Sequence, residues 1–148
     1  MHILFVIARV LLVLIFIYSG AGKLLDLEGT AAYIAPAVSV PDMLAGYATQ
    51  LQEMTGMTVP ELLAILAGVA ELVFALLMVF NIGTRAAAVM LALFTLVATF
   101  YFHDFWNMAD AARESNKIHV LKNLSIIGGL LVFVVLGSWR PPVRTDRV

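Results

Sequence analysis

Four stretches of this chain stay apolar for the length of a membrane-crossing helix, and most of the charged positions fall between them. The stretches are 3–22, 60–80, 83–102 and 118–139, each near the roughly 20 residues that a helical span requires. The pattern predicts an all-α protein: a four-transmembrane-helix bundle forming a single domain at 1–139, with a basic tail at 140–148. Pro141 and Pro142 stop the last helix, since proline removes a donor and clashes with the preceding turn.

The connections are unequal. Residues 81–85 make a tight hairpin, 103–117 form a polar connection, and 23–59 form a long first connecting loop. Within that loop, Met43, Leu44, Tyr47, Leu51 and Met54 recur on one helical face, with Gln50, Gln52 and Glu53 elsewhere. This predicts a helix over 42–56, read as interfacial or as a soluble cap, with Asp42 after Pro41 as its N-cap. A second short helix is expected over 24–34, ending before Pro36.

Composition narrows the class. The chain has 148 residues, 62% hydrophobic and 13% charged, with a mean hydropathy of +0.98. A water-soluble domain of this size has no interior large enough for so much apolar surface, so the lipid bilayer is the expected partner. A formal net charge of −1 gives no signal for nucleic acid, and the absence of cysteine excludes thiolate metal sites and catalytic disulfides. The first apolar stretch reads as a retained helix rather than a cleaved signal peptide. Its leading residues carry no Lys or Arg, and Arg9 interrupts what would be the apolar region. An even number of spans puts both termini on one side. Arg85, Arg140, Arg144 and Arg147 outnumber Lys23, Arg113 and Lys117 opposite, which points to cytoplasmic termini.

Two polar layers interrupt the apolar pattern. Glu71 sits mid-span, where a carboxylate is costly and faces a protein interior or a partner. It shares its face with Ala64, Ala67, Gly68 and Ala75, small residues that admit a neighbouring helix closely. Counted from the ends of the two spans at 1.5 Å per residue, Arg9 lies about 9 Å deep and Glu71 about 14 Å deep, so an Arg9–Glu71 ion pair is expected. Such a pair reads as structural, fixing helix register; Arg9 reaching the headgroups alone is the competing reading.

The second layer lies at the opposite membrane face. Lys23 ends the first span, His103 ends the third, and His119, Lys122 and Asn123 open the fourth, with Trp106 close by. Ala88, Ala92, Thr95 and Thr99 form a small and hydroxyl-bearing stripe leading to His103. Convergence of these groups would form a basic ligand pocket for a quinone, a sulfur oxyanion or a lipid headgroup, with histidine able to move protons. Residue by residue, the lysines also read as snorkelling and Trp106, Tyr101 and Trp139 as an aromatic belt. The three histidines show no metal-ligand spacing, so no metal site is expected.

The order of these features resembles the DoxX family of small four-helix integral membrane proteins. The resemblance rests on Arg9, Tyr18-Ser19-Gly20-Ala21-Gly22-Lys23, Tyr33-Ile34-Ala35, Glu71-Leu72 and Gly83-Thr84-Arg85. It continues through His103-Asp104-Phe105-Trp106, Leu121-Lys122-Asn123-Leu124 and Gly128-Gly129. It implies a prokaryotic inner (cytoplasmic) membrane protein tied to thiosulfate:quinone oxidoreductase subunits and to complexes handling oxidative or thiol stress. It supplies no catalytic residue set, and without cysteine any thiol chemistry has to come from a partner.

Three functions are therefore expected in order. The first is a redox-associated subunit or accessory protein that binds a quinone or sulfur compound through Lys23, His103, Lys122, Asn123, His119 and Trp106. The second is a non-catalytic structural or assembly subunit, with partner oxidoreductase subunits or a homo-oligomer. A small-solute or proton transporter built around Glu71 ranks last, because four spans without an inverted repeat make a meagre pathway.

Overall fold

A computed structural model describes residues 2–137. They fold into six α-helices: α1 (His2–Leu25), α2 (Leu27–Ile34), α3 (Ala45–Thr55), α4 (Val59–Val79), α5 (Thr84–Phe102) and α6 (Asp110–Leu136). Four segments, Ile3–Leu25, Val59–Val79, Thr84–Asn107 and Ala112–Leu136, are long and apolar enough to cross a membrane. The basic tail expected at 140–148 lies outside the described residues.

Local chemistry sets the helix ends. α4 opens with a capping box: the Thr58 hydroxyl accepts from the Glu61 N–H, and the Glu61 carboxylate accepts from the Thr58 N–H at 2.6 Å. Asp26 caps α2 by accepting from the Gly29 N–H at 3.0 Å. The α4–α5 turn is closed by Asn81 and Gly83 in the left-handed region, at φ of 60° and 54°. Asp42 does not cap a helix as expected. It lies inside a 3-10 turn (Asp42–Leu44), which the Leu44 N–H closes on the Pro41 carbonyl at 2.8 Å. α6 begins eight residues before the expected start at 118, because Ala112, Arg113 and Glu114 favour helix and no Gly or Pro intervenes.

The 23–59 connection thus holds α2 and α3. α2 leans on α4 and buries Ala31 and Ile34. α3 buries nothing, and the apolar stripe that runs from Met43 and Leu44 of the preceding 3-10 turn through Tyr47, Leu51 and Met54 of α3 is exposed.

α1 packs antiparallel along α4, α5 along α6, and the two pairs join chiefly through α4 and α5. Gly20 and Gly68 fix the first pair: a Cβ on Gly20 would lie 2.8 Å from the Gly68 carbonyl oxygen. Backbone meets backbone there, as small residues permit. The core cluster of Val13, Phe16, Ala75, Met78, Ala87, Ala88, Leu91, Leu130 and Phe133 fills the half of the bundle nearest the α4–α5 turn. Toward the other end, α1 and α4 stay packed while the α5–α6 pair stands off, and a cavity opens between the pairs.

Candidate functional site

The cavity has a volume of about 510 Å³. Ile15, Phe16, Leu63, Phe94 and Ile126 contribute apolar wall, and Lys23, Glu71, His103, Lys122 and Asn123 meet it together with the hydroxyl side chains of Ser19, Thr30, Tyr33, Thr95 and Tyr101.

Glu71 pairs with Lys23, not with Arg9. Lys23 Nζ lies 2.7 Å from Glu71 Oε2, and the side chains are 24% and 5% exposed respectively. Ser19 completes the group: its hydroxyl accepts from Lys23 and donates to Glu71 Oε1 at 3.3 Å. Register and side-chain direction explain the exchange of partners. With Gly20 level with Gly68, Glu71 faces the level of Ile17, so Lys23 starts about 9 Å above it and Arg9 about 12 Å below. Side chains on a helix lean toward its N-terminus. Lys23 and Glu71 therefore lean toward each other across the antiparallel pair, whereas Arg9 leans away. Arg9, itself buried, donates to Asn81 Oδ1 and to the Val79 carbonyl at 3.3 Å, at the C-terminal end of α4. A cation there meets the negative end of the helix dipole.

The α5–α6 wall is built by a hydrogen-bond ladder along the hydroxyl stripe. Thr95 donates to the Leu91 carbonyl, Thr99 to the Thr95 carbonyl at 2.6 Å, and Asn123 Nδ2 to Thr99 Oγ1 at 2.9 Å. That last bond spans the two helices and orients Asn123. His103 Nδ1 lies 2.9 Å from Asn116 Oδ1, while Asn116 Nδ2 donates to the Ala112 carbonyl. The Asn116 oxygen therefore accepts from Nδ1, and Nε2 takes no part in that bond.

Of the expected ligand-binding residues, Lys23, His103, Lys122 and Asn123 line the cavity and His119 and Trp106 do not. His119 stands behind them. It stacks on His103 with centroids 4.9 Å apart and accepts from Lys122 Nζ at 3.3 Å. Lys122 contacts no carboxylate among the described residues. Trp106 packs edge-on against Phe105 and is half exposed. Three contributors had no assigned role in the sequence: Ser19, Asn116 and the Tyr33–Phe102 stack, whose rings lie 5.2 Å apart between α2 and α5. Ser19 was legible, since it precedes Lys23 by one helical turn. The other two depend on tertiary placement.

These elements define a small four-span helical membrane protein with a polar-ended cavity between two helix pairs. The chain belongs to the DoxX family, whose model matches residues 4–104. It is similar to the inner membrane protein YphA of Escherichia coli, 33% identical over 135 residues, covering 91% of this chain and 84% of that protein. It is also similar to the inner membrane protein YqjF of the same organism, 31% identical over 131 residues, covering 88% and 82%. No solved structure matches the chain.

Proposed function

We propose that this protein binds the head of a quinone in the cavity, as an accessory subunit of a membrane oxidoreductase in a prokaryotic inner membrane with cytoplasmic termini. α3 then lies along the opposite interface with its apolar stripe in the lipid.

The observation that carries this reading is the composition of one cavity. Its volume falls in the roughly 300–1,000 Å³ range of small-molecule sites, which are mostly apolar with a few placed polar groups. The donors suit a carbonyl-bearing ring: the ammonium of Lys122, the amide of Asn123, and Lys23 held by Glu71. The apolar wall favours such a ring over a free sulfur oxyanion, which would leave most of the cavity unmatched. Bound quinone would supply the electron-accepting chemistry. The chain's own part is to hold the ring oxygens through Lys122 and Asn123, and to take up or release a proton at His103 Nε2. Lys23 and Glu71 keep that end of the cavity electrically balanced.

Binding of a tail-less ubiquinone analogue to protein in lipid nanodiscs tests the reading. Losing one charge-assisted hydrogen bond lowers affinity by about tenfold, which is the effect expected for Lys122→Ala. A wild-type protein that binds no quinone and purifies with a stoichiometric partner would favour the assembly role instead.

A further inference from the structure

The cavity has two flanks, and they differ. On one, between α1 and α6, the helices touch near the turn end of the bundle. A Cβ on Gly129 would lie 2.9 Å from Leu12 Cδ1, and the Phe5 and Phe133 rings meet at a tilt with centroids 5.1 Å apart. Beyond Leu12 the flank changes character. Ile15, Ser19 and Lys23 of α1 and Lys122, Asn123 and Ile126 of α6 all face cavity rather than each other. Ile15 lines the cavity, lies within a membrane span and is 40% exposed, so protein does not seal it in. On the other flank, between α4 and α5, Val97 also lines the cavity and is exposed, but there α2 lies against α4 and the Tyr33–Phe102 stack bridges from it to α5.

We infer that the α1–α6 seam is a lateral portal, and that the ligand is a long-tailed quinone whose tail runs out through it into the bilayer. This rests on the quinone reading above. A tail-less ring needs only the polar end of the cavity, yet the apolar wall extends from Lys23 down α1 to Phe16 and from Lys122 down α6 to Ile126. That run leads from the donors to the exposed Ile15. Lys23 and His103 also lie near the ends of their spans, at the depth where a membrane-dissolved amphiphile carries its head. One chain then satisfies both regions at once: ring oxygens on Lys122 and Asn123, hydrocarbon along Ile126 and Ile15. No water-filled route is needed, because the ligand never leaves the bilayer.

Plugging each flank separately tests this. Ile15→Trp fills the α1–α6 seam, and Val97→Trp fills the α4–α5 flank. Both positions line the cavity and are exposed, at 40% and 56%, so neither change disturbs the core. Affinities of a long-tailed ubiquinone and of its tail-less analogue are measured for each variant in nanodiscs, with thermal unfolding as the folding control. The expected result is that Ile15→Trp weakens the long-tailed ligand by about tenfold or more relative to the tail-less analogue, while Val97→Trp affects the two ligands alike. Loss of long-tailed binding in Val97→Trp alone, or equal effects of Ile15→Trp on both ligands, would overturn the portal while leaving the head-binding site intact. Co-purified phospholipid that added long-tailed quinone fails to displace would also overturn it. If wild-type protein binds neither ligand, the proposed function falls and the portal with it.

Discussion

Removing Lys23 should destabilise the protein far more than removing its partner Glu71. In Lys23→Met, Glu71 stays buried at 5% exposure with only Ser19 to answer it. A buried charge stripped of its partner costs about 3–5 kcal/mol. Taking up a proton instead costs roughly 4 kcal/mol at pH 7, for an ordinary carboxylate pKa of about 4.3 and 1.36 kcal/mol per unit. The two routes agree, and the Ser19 bond returns about 1 kcal/mol, so a loss of about 3 kcal/mol is expected. Glu71→Gln is milder. Lys23 is a quarter exposed and near the end of its span, so its ammonium can swing to the interface, and about 1 kcal/mol is expected. The double variant, with neither charge, should come within about 1 kcal/mol of wild type. Arg9→Met and Glu71→Gln, whose side chains share no partner, should add to within about 0.5 kcal/mol.

The assay is reversible denaturation in mixed micelles, followed by the fluorescence of the chain's two tryptophans. The Lys23→Met penalty should also shrink as pH falls, by up to about 1.4 kcal/mol per unit, because protonation removes the stranded charge. Equal losses from Lys23→Met and Glu71→Gln, or strong coupling between Arg9 and Glu71, would refute the pairing.

Three further outcomes follow from the geometry. Gly20→Ala, which drives a methyl into the Gly68 carbonyl, should cost about 1–3 kcal/mol, whereas Gly128→Ala, with nothing within 4 Å, should be neutral or gain up to about 1 kcal/mol in the same assay. Asn81→Gly keeps the left-handed turn but removes the oxygen that Arg9 and Thr84 share, so a loss of about 1–3 kcal/mol is expected, with Asn81→Asp retaining most of the stability. Thr58→Ala removes half of the α4 capping box and should cost about 1 kcal/mol, visible as earlier exchange of the Glu61 amide.

The spans were legible because lipid solvation demands long apolar helices, a constraint written in composition. The ends of α4 and α5 fell within one residue of the expected positions, but α6 began earlier because a polar helix end looks like a loop to a hydropathy pattern. The Arg9–Glu71 expectation failed for a specific reason: it assumed that the start of the first span is level with the end of the second. The Gly20–Gly68 contact shifts that level by about 7.5 Å, five residues at 1.5 Å each. Both glycines were visible on the relevant faces. Matching them to each other, rather than matching span ends, would have brought Lys23 beside Glu71. The convergence of Lys23, His103, Lys122 and Asn123 on one cavity was legible as a layer. The role of His119 behind Lys122 was not, because a ring stack depends on how two helices meet.

The backbone contact between Gly20 and Gly68 also bears on how the molecule can move. With no side chain between the helices, that point holds no rotamer to switch, so α1 and α4 behave as one stiff bar. The main core cluster lies toward the turn, so the expected motion is the α5–α6 pair swinging about it. Spin labels on α1 and α4 should therefore report one narrow distance at every depth. Labels on α1 and α6 should give a distribution that widens steadily from Leu12 toward Lys23.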